Sequence, residues 1–323
     1  MLGFVIQRLL QSVVVMFAMS LLVFIGVFAV GNPIDLLISP DAHQEIRAQT
    51  IARYGFDRPL YVQYLAFLGR LAQGDFGQSL VFNMPVLELI LSRLPATLEL
   101  TLAAVAGAAL VGIPLGMYAG CRPEGPLARL IMALSVIGFS VPTFWVGLVL
   151  IYTFAVSLGW LPAGGRGETV ALLGTEWSFL TSSGLKHLLL PALNLSLFKL
   201  ALMIRLARAG TREAMLSDTV KFARATGQSE WTVVRCHVLR LISIPLVTVF
   251  GLELGSTLSF AVVTETIFSW PGMGKLIIDA IFSLDRPVMI AYLILVAFFF
   301  ILINLVIDIA YIGLDPRLRK ARA

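Results

Sequence analysis

The residues able to do chemistry are few and scattered. The three histidines, His43, His187 and His237, fall on different loops or faces. Neither Cys121 nor Cys236 sits at a metal-ligand spacing from other donors. No H-E-x-x-H and no G-x-S-x-G occurs, so neither a zinc hydrolase nor a nucleophile elbow is encoded. A phosphate cradle needs G-x-x-x-x-G-K-[ST]; the one Gly-Lys pair, Gly274-Lys275, has Ser269 where the first glycine belongs. The chain reads as a non-enzyme with no metal and no cofactor of its own. Two cysteines are too few for a disulfide framework and read as inert thiols.

Polar groups concentrate in two kinds of place. The first is Ala223–Arg240, where Arg224, Glu230, Arg235, His237 and Arg240 crowd between apolar runs. The second is single charges inside apolar runs: Lys199, Glu253 and Asp308. A charge in a membrane helix costs ~2.5–3.5 kcal/mol or more and faces a cavity or a partner. Lys199 therefore pairs with an acid such as Glu253 or Asp308, or it lines a pathway and attracts an anionic group.

The elements that position these groups follow from composition. Only 13% of the 323 residues are charged and 58% are hydrophobic, with mean hydropathy +0.90. Soluble domains carry about 25% charge, so this chain cannot cover a water-facing surface, and lipid is its solvent. Six runs are long enough to span a bilayer: roughly Leu9–Val30, Ala96–Ala119, Leu130–Leu158, Leu188–Ile204, Ile244–Thr264 and Val288–Ile312. The first exceeds the about 7–15 residues of a signal peptide's apolar region and is followed by G-N-P rather than A-x-A, so it reads as a retained helix. With the N-terminus inside, the cytoplasmic pieces 1–8, 120–129, 205–243 and 313–323 hold 14 of the 24 Lys and Arg, and the outer pieces hold 9. That satisfies the positive-inside rule. Both termini and the polar stretch are then cytoplasmic.

Within that stretch, Gly227 reads as the C′ residue closing one short helix and Ser229 as the cap of the next. Two short helices with a tight bend make a knuckle, with Trp231 and Val234 nearby as apolar groups and Trp231 a candidate anchor for a partner. In the third span Ser140-Val141-Pro142 removes a backbone hydrogen bond mid-helix. It reads as a packing kink or as a hinge. No convincing internal repeat is present, which weakens a carrier built from inverted repeats.

These residues carry a resemblance. Ala223-Arg224-Ala225, Gly227, His237, Leu239, Arg240 and Pro245 resemble the A-R-A-x-G … H-x-L-R loop of the dipeptide, oligopeptide and nickel branch of permease subunits in ATP-binding-cassette importers. Lys221-Phe222-Ala223 stands where the wider family has E-A-A, and only the last alanine matches. Gln7-Arg8-Leu9, Gly74-Asp75-Phe76-Gly77-Gln78-Ser79, Pro95-Ala96-Thr97-Leu98-Glu99-Leu100, Gly112-Ile113-Pro114-Leu115-Gly116, Ser140-Val141-Pro142-Thr143-Phe144-Trp145, Glu265–Gly274 and Asp315-Pro316-Arg317 match the branch in order.

The resemblance implies an all-α integral membrane protein of the type I importer permease fold, with six transmembrane helices. A first helix (1–30) precedes a large periplasmic segment (31–95), a five-helix core (96–312) holding the coupling loop 205–243, and a cytoplasmic tail (313–323). It implies a multi-pass protein of the bacterial inner membrane that moves short peptides by alternating access. Nickel chelates, glutathione or opines are the alternatives. The implied partners are a second, similar permease, two ATPases that bring ATP and Mg, a periplasmic binding protein and membrane lipid, but no nucleic acid. By resemblance Lys221, Phe222, Ala223, Arg224, Ala225, Gly227, Trp231, His237, Leu239 and Arg240 would couple to an ATPase. Apart from the resemblance, which leaves Lys199 unexplained, Ser140 and Pro142 at the kink and Lys199 with Glu253 are candidates for the pathway. Glu265, Trp270, Pro271, Gly272 and Asp285 would form a periplasmic gate or binding-protein contact; the alternative is a lid packed on the bundle. The rival of another class is an ion-coupled carrier or channel acting alone, with Glu253 and Asp308 as its deep acids.

Overall fold

A computed structural model of the chain describes residues 2–29, 58–172 and 174–314, with 2–5, 27–29, 260 and 308–314 described by their backbone only. The stretch 31–57 of the expected periplasmic segment, His43, the Asp308 side chain and Asp315-Pro316-Arg317 lie outside the described residues. The chain divides into two units, Met1–Ser92 with Leu276–Ile301, and Arg93–Lys275 with Leu302–Ala323.

The first unit holds α1 (Leu2–Ala29) and α2 (Leu60–Ala72). The two are joined by aromatic packing of Tyr64 on Phe17 and Phe24 and by a 2.8 Å hydrogen bond between the Tyr64 and Ser20 hydroxyls. The G-D-F-G-Q-S segment turns back on itself next. The Asp75 carboxylate accepts from the Gly77 N–H, and Ser79 Oγ donates to Asp285 Oδ2 at 2.5 Å. That oxygen also accepts from the Val81 N–H at 3.2 Å.

The second unit is built around α6 (Ser182–Met215). The long α3 (Val86–Cys121) starts ten residues before the span expected from hydropathy and runs through Pro95 and Pro114. A proline inside a membrane helix is tolerated where neighbours repair the lost bond. Its Gly112, Gly116 and Gly120 lie against Met203, Ile204, Ala207 and Thr211 of α6, so closely that a Cβ at Gly116 would stand 2.5 Å from the Ile204 carbonyl. Small residues every fourth position let two membrane helices approach at backbone distance.

The third expected span is a broken one. Helices α4 (Pro126–Ser140) and α5 (Thr143–Leu150) meet at Val141-Pro142 with a bend of 104°. A π-helical segment, Ile151–Ser157, then continues α5. A two-stranded hairpin follows, β1 (Val170–Leu172) and β2 (Thr175–Trp177), with Val170 opposite Trp177. Its presence in an otherwise helical chain was not foreseen from periodicity. Beyond α6 come α7 (Asp218–Ala225), α8 (Glu230–Thr232), a π-helical segment (Val233–Val238), α9 (Leu239–Phe260), α10 (Val262–Ile267), α11 (Met273–Phe282) and α12 (Arg286–Leu314). Among the described residues five helices are long and apolar enough to cross a membrane, and six when the bent pair counts as one span.

Candidate functional site

The knuckle is assembled by local rules. Ser217 caps α7, accepting from the Val220 N–H, and Asp218 sits in the first turn, where an acid suits the helix dipole. The helix closes with Gly227 at φ +77°. The Gly227 N–H donates to the Arg224 carbonyl and the Gln228 N–H to the Ala223 carbonyl, a Schellman pair. Ser229 then caps α8, accepting from the Thr232 N–H. Both sequence assignments, Gly227 as terminator and Ser229 as cap, hold. The π-helical segment that continues α8 adds one residue to its turn and rotates the chain into α9.

Two exposed contacts trim the bend. Arg224 grips Glu230 with Nε on Oε1 at 2.8 Å and Nη2 on Oε2 at 3.0 Å, a bidentate fork. His237 Nε2 lies 2.8 Å from Gln228 Oε1. Underneath, Val220, Ala223, Val233 and Val238 are buried with Ala207, Ala214, Ile242 and Leu246 in one apolar cluster that ties the knuckle to both α6 and α9. Outside, Phe222 is 71% and Trp231 72% exposed. Lys221, Arg235, Leu239 and Arg240 are exposed too, and Lys221 is paired with Asp218 at 3.0 Å. The knuckle is a firm platform with two large apolar side chains turned outward.

Lys199 and Glu253, two of the charges inside apolar runs, answer each other. Lys199 Nζ lies 2.8 Å from Glu253 Oε2, and both side chains are largely buried, at 9% and 15% exposure. Lys199 thus pairs with Glu253, one of the two acids the sequence offered it. Ser140 and Pro142 flank the break between α4 and α5: Ser140 Oγ donates back to the Val136 carbonyl, and the Pro142 carbonyl accepts the first bonds of α5. Beside the break, Phe139 stacks on Phe198 with ring centroids 4.5 Å apart and carries the Arg205 guanidinium over its ring, 4.5 Å from the centroid.

At the far end of α9, two motifs remote in sequence close on each other. Glu265 is fully buried. Its Oε1 accepts from Thr97 Oγ1 at 2.7 Å and its Oε2 from the Lys275 N–H at 2.9 Å. Thr97 in turn accepts from the Met273 N–H, and Trp270 Nε1 donates to the Ala96 carbonyl at 2.8 Å. Gly272 has no room for a side chain: a Cβ would meet the Glu265 carboxylate at 2.3 Å. Two positions later in P-A-T-L-E-L, buried Glu99 receives Arg166 at 2.9 Å and the Ser178 hydroxyl at 2.8 Å. The Gly165 N–H donates to the Phe268 carbonyl and joins the two clusters.

Glu265, Trp270, Pro271 and Gly272 thus form one site, whereas Asp285 belongs to the other unit, held by Ser79 and Val81. Glu99 and Glu265 are both buried in protein. Sequence reasoning quoted Thr97, Arg166, Ser178 and Ser79 without a role or passed them over. The P-A-T-L-E-L string was the available signal for the first.

Comparison with known proteins identifies the family. Residues 112–320 match the family described as "Binding-protein-dependent transport system inner membrane component", and residues 1–101 match its N-terminal part. The chain is 39% identical to the di/tripeptide transport system permease protein DppB of Pseudomonas aeruginosa, covering 100% of both chains. It is 39% identical to the oligopeptide transport system permease protein AppB of Bacillus subtilis, covering 98% of this chain and 99% of that one. To the glutathione transport system permease protein GsiC of Escherichia coli it is 37% identical, with 99% of each covered. A solved structure of the MetNI methionine ABC transporter, in an inward-facing conformation, aligns at TM-score 0.56 and 17% identity over 71% of this chain and 97% of that one, which speaks to the fold. The chain belongs to the binding-protein-dependent transport system inner membrane components, as a multi-pass permease and transport component rather than an enzyme.

Proposed function

We propose that this chain is the permease subunit of an ATP-driven importer of short peptides, and that the knuckle is its docking element for a separate ATPase. The observation that carries the docking reading is the pairing of a buried apolar underside with outward Phe222 and Trp231. Large aromatic groups on a rigid support are the usual anchors of an interface. Arg235 and Arg240 frame them and suit charge-assisted contacts at the rim. Peptides are the favoured cargo because relatives named for di/tripeptide, oligopeptide and glutathione transport match over nearly their whole length. Glutathione, itself a tripeptide, is the second reading.

In this reading a second, similar permease completes the pathway, two ATPases bring ATP and Mg, and a periplasmic binding protein delivers the cargo. Both termini and the knuckle face the cytoplasm; residues 31–95 and the Glu265 site face the periplasm. ATP closes the ATPases, the knuckle moves with them, and the pathway alternates its opening, with the break at Ser140–Pro142 as a hinge. The Glu265, Trp270, Pro271 and Gly272 site serves as the outer gate, and Asp285 holds a loop near the binding-protein surface. The solitary carrier has little support, since Glu253 is neutralised by Lys199.

The test is purification of the tagged chain from its native membrane in mild detergent, with the co-purifying proteins identified. A stoichiometric ATPase and a second permease are expected, and the ATPase is lost from the Trp231→Ala variant in proportion to its weakened docking. A chain that purifies alone and moves a solute in liposomes without ATP overturns the proposal.

A further inference from the structure

The Lys199–Glu253 pair is not explained by docking or by a gate. It lies between α6 and α9, the two helices that enter and leave the knuckle, and its members are 54 residues apart in sequence. Among their contacts, two join these helices directly, and a third ties α6 to α10, which continues from α9. Nearest the knuckle, Gly210 faces Ile242, with a Cβ there only 3.0 Å from the Ile242 side chain. Next comes the ion pair. Farthest out, Asn194 Nδ2 donates to Thr264 Oγ1 of α10 at 3.1 Å.

A buried ion pair is a poor source of stability, because desolvation offsets much of its attraction, and an apolar pair of similar volume does as well. What it adds is direction. Apolar helix faces can slide by 1–2 Å at little cost, but a slide that parts Lys199 from Glu253 leaves two largely buried charges unanswered. Ser256 Oγ stands 3.5 Å from the same carboxylate oxygen but carries no charge to replace the lysine.

We propose that Lys199 and Glu253 are positioning residues for transport: an ionic clamp that makes α6, the knuckle and α9 one lever. Displacement of the knuckle then reaches the far end of α9 instead of being lost as shear between the two helices. This rests on the reading of the knuckle as the ATPase-docking element. It also takes the pair out of contact with the cargo.

The experiment uses the full complex in nanodiscs, with Cys121 and Cys236 replaced by serine and spin labels at positions 213 and 241, near the knuckle ends of α6 and α9. Their separation is measured without nucleotide and after trapping with ATP and vanadate. The parent complex should give the same narrow distance in both states. The apolar variant Lys199→Met/Glu253→Leu should still assemble, but its distance should broaden or shift by about 1–2 Å on trapping. Its uptake of labelled trialanine per ATP hydrolysed should fall about tenfold. The charge-swapped Lys199→Glu/Glu253→Lys should recover the narrow distance.

An apolar variant with the parent's distances overturns the clamp, and one that fails to assemble overturns it too, since the pair would then be a folding requirement. Lost uptake of trialanine with normal uptake of its N-acetylated amide would mean that the pair touches the cargo's charged ends, and would also overturn it. Should no ATPase bind the parent chain, the docking reading fails by itself, and the label distance can still be compared in the chain alone.

Discussion

The two ends of α9 solve opposite problems. At one end, the turn from α10 into α11 is closed on itself. The Glu265 carboxylate receives a hydroxyl and a backbone N–H, Trp270 is buried with its N–H satisfied, and Gly272 leaves no spare volume. At the other end, the knuckle buries its small residues and turns its large ones outward, Phe222 and Trp231 above all. Burial of Trp270 and exposure of Trp231 cannot both be a matter of hydrophobicity. A self-satisfied end holds together as one piece, and an end with two exposed aromatic groups on a firm base offers them to a surface. The ion pairs tell the same story. Lys199–Glu253 lies within the unit and Arg224–Glu230 lies open to solvent, so the first can constrain motion and the second can only trim local geometry.

The comparison can be broken most severely at the closed end. Glu265→Ala leaves the Thr97 hydroxyl and the Lys275 N–H without their buried acceptor, at about 1–3 kcal/mol each. The expected result is a large drop in the thermal midpoint of the purified chain, whether or not an ATPase is present. Gly227→Pro attacks the open end instead. Proline cannot adopt φ +77°, so the Schellman turn is lost. Insertion into the membrane should be normal while ATP hydrolysis is uncoupled from uptake; wild-type uptake in this variant would remove the knuckle from the coupling path.

Trp231→Ala should leave the thermal midpoint of the isolated chain unchanged and weaken ATPase binding by about 2 kcal/mol or more, as expected for an interface anchor. An unchanged affinity would move the anchor role to Phe222. The smallest effect is expected for Glu230→Gln, which releases an exposed arginine. Stability should not change measurably, and any loss of coupling should appear at low salt and fade at high salt.

The spans were legible because desolvation is a bulk property: twenty apolar residues identify themselves wherever they pack. The bend after Ser140 was legible as a break but not as 104°, since proline removes a bond without choosing a direction. The long reach of α3 back to Val86 was missed because Glu88 and Arg93 lower the hydropathy of a segment that is nonetheless helical. The hairpin at Val170–Trp177 was missed because three-residue strands carry almost no periodicity.

What the sequence determined by itself is whatever can be written within one or two turns: the apolar spans, the Gly227 terminator, the Ser229 cap and the ordered motifs that mark the family. Each depends on local sterics or on transfer out of water, and neither needs a distant partner. What only the tertiary structure decided is which groups meet. Lys199 found Glu253 across 54 residues; Asp285 found Ser79 across 206; Thr97 found Glu265 across 168. Those choices follow from which faces of the helices pack together, and that depends on steric fit along whole helices, such as the glycines of α3 against α6. A buried polar residue announces that it needs a partner, and the packing of the helices supplies the name.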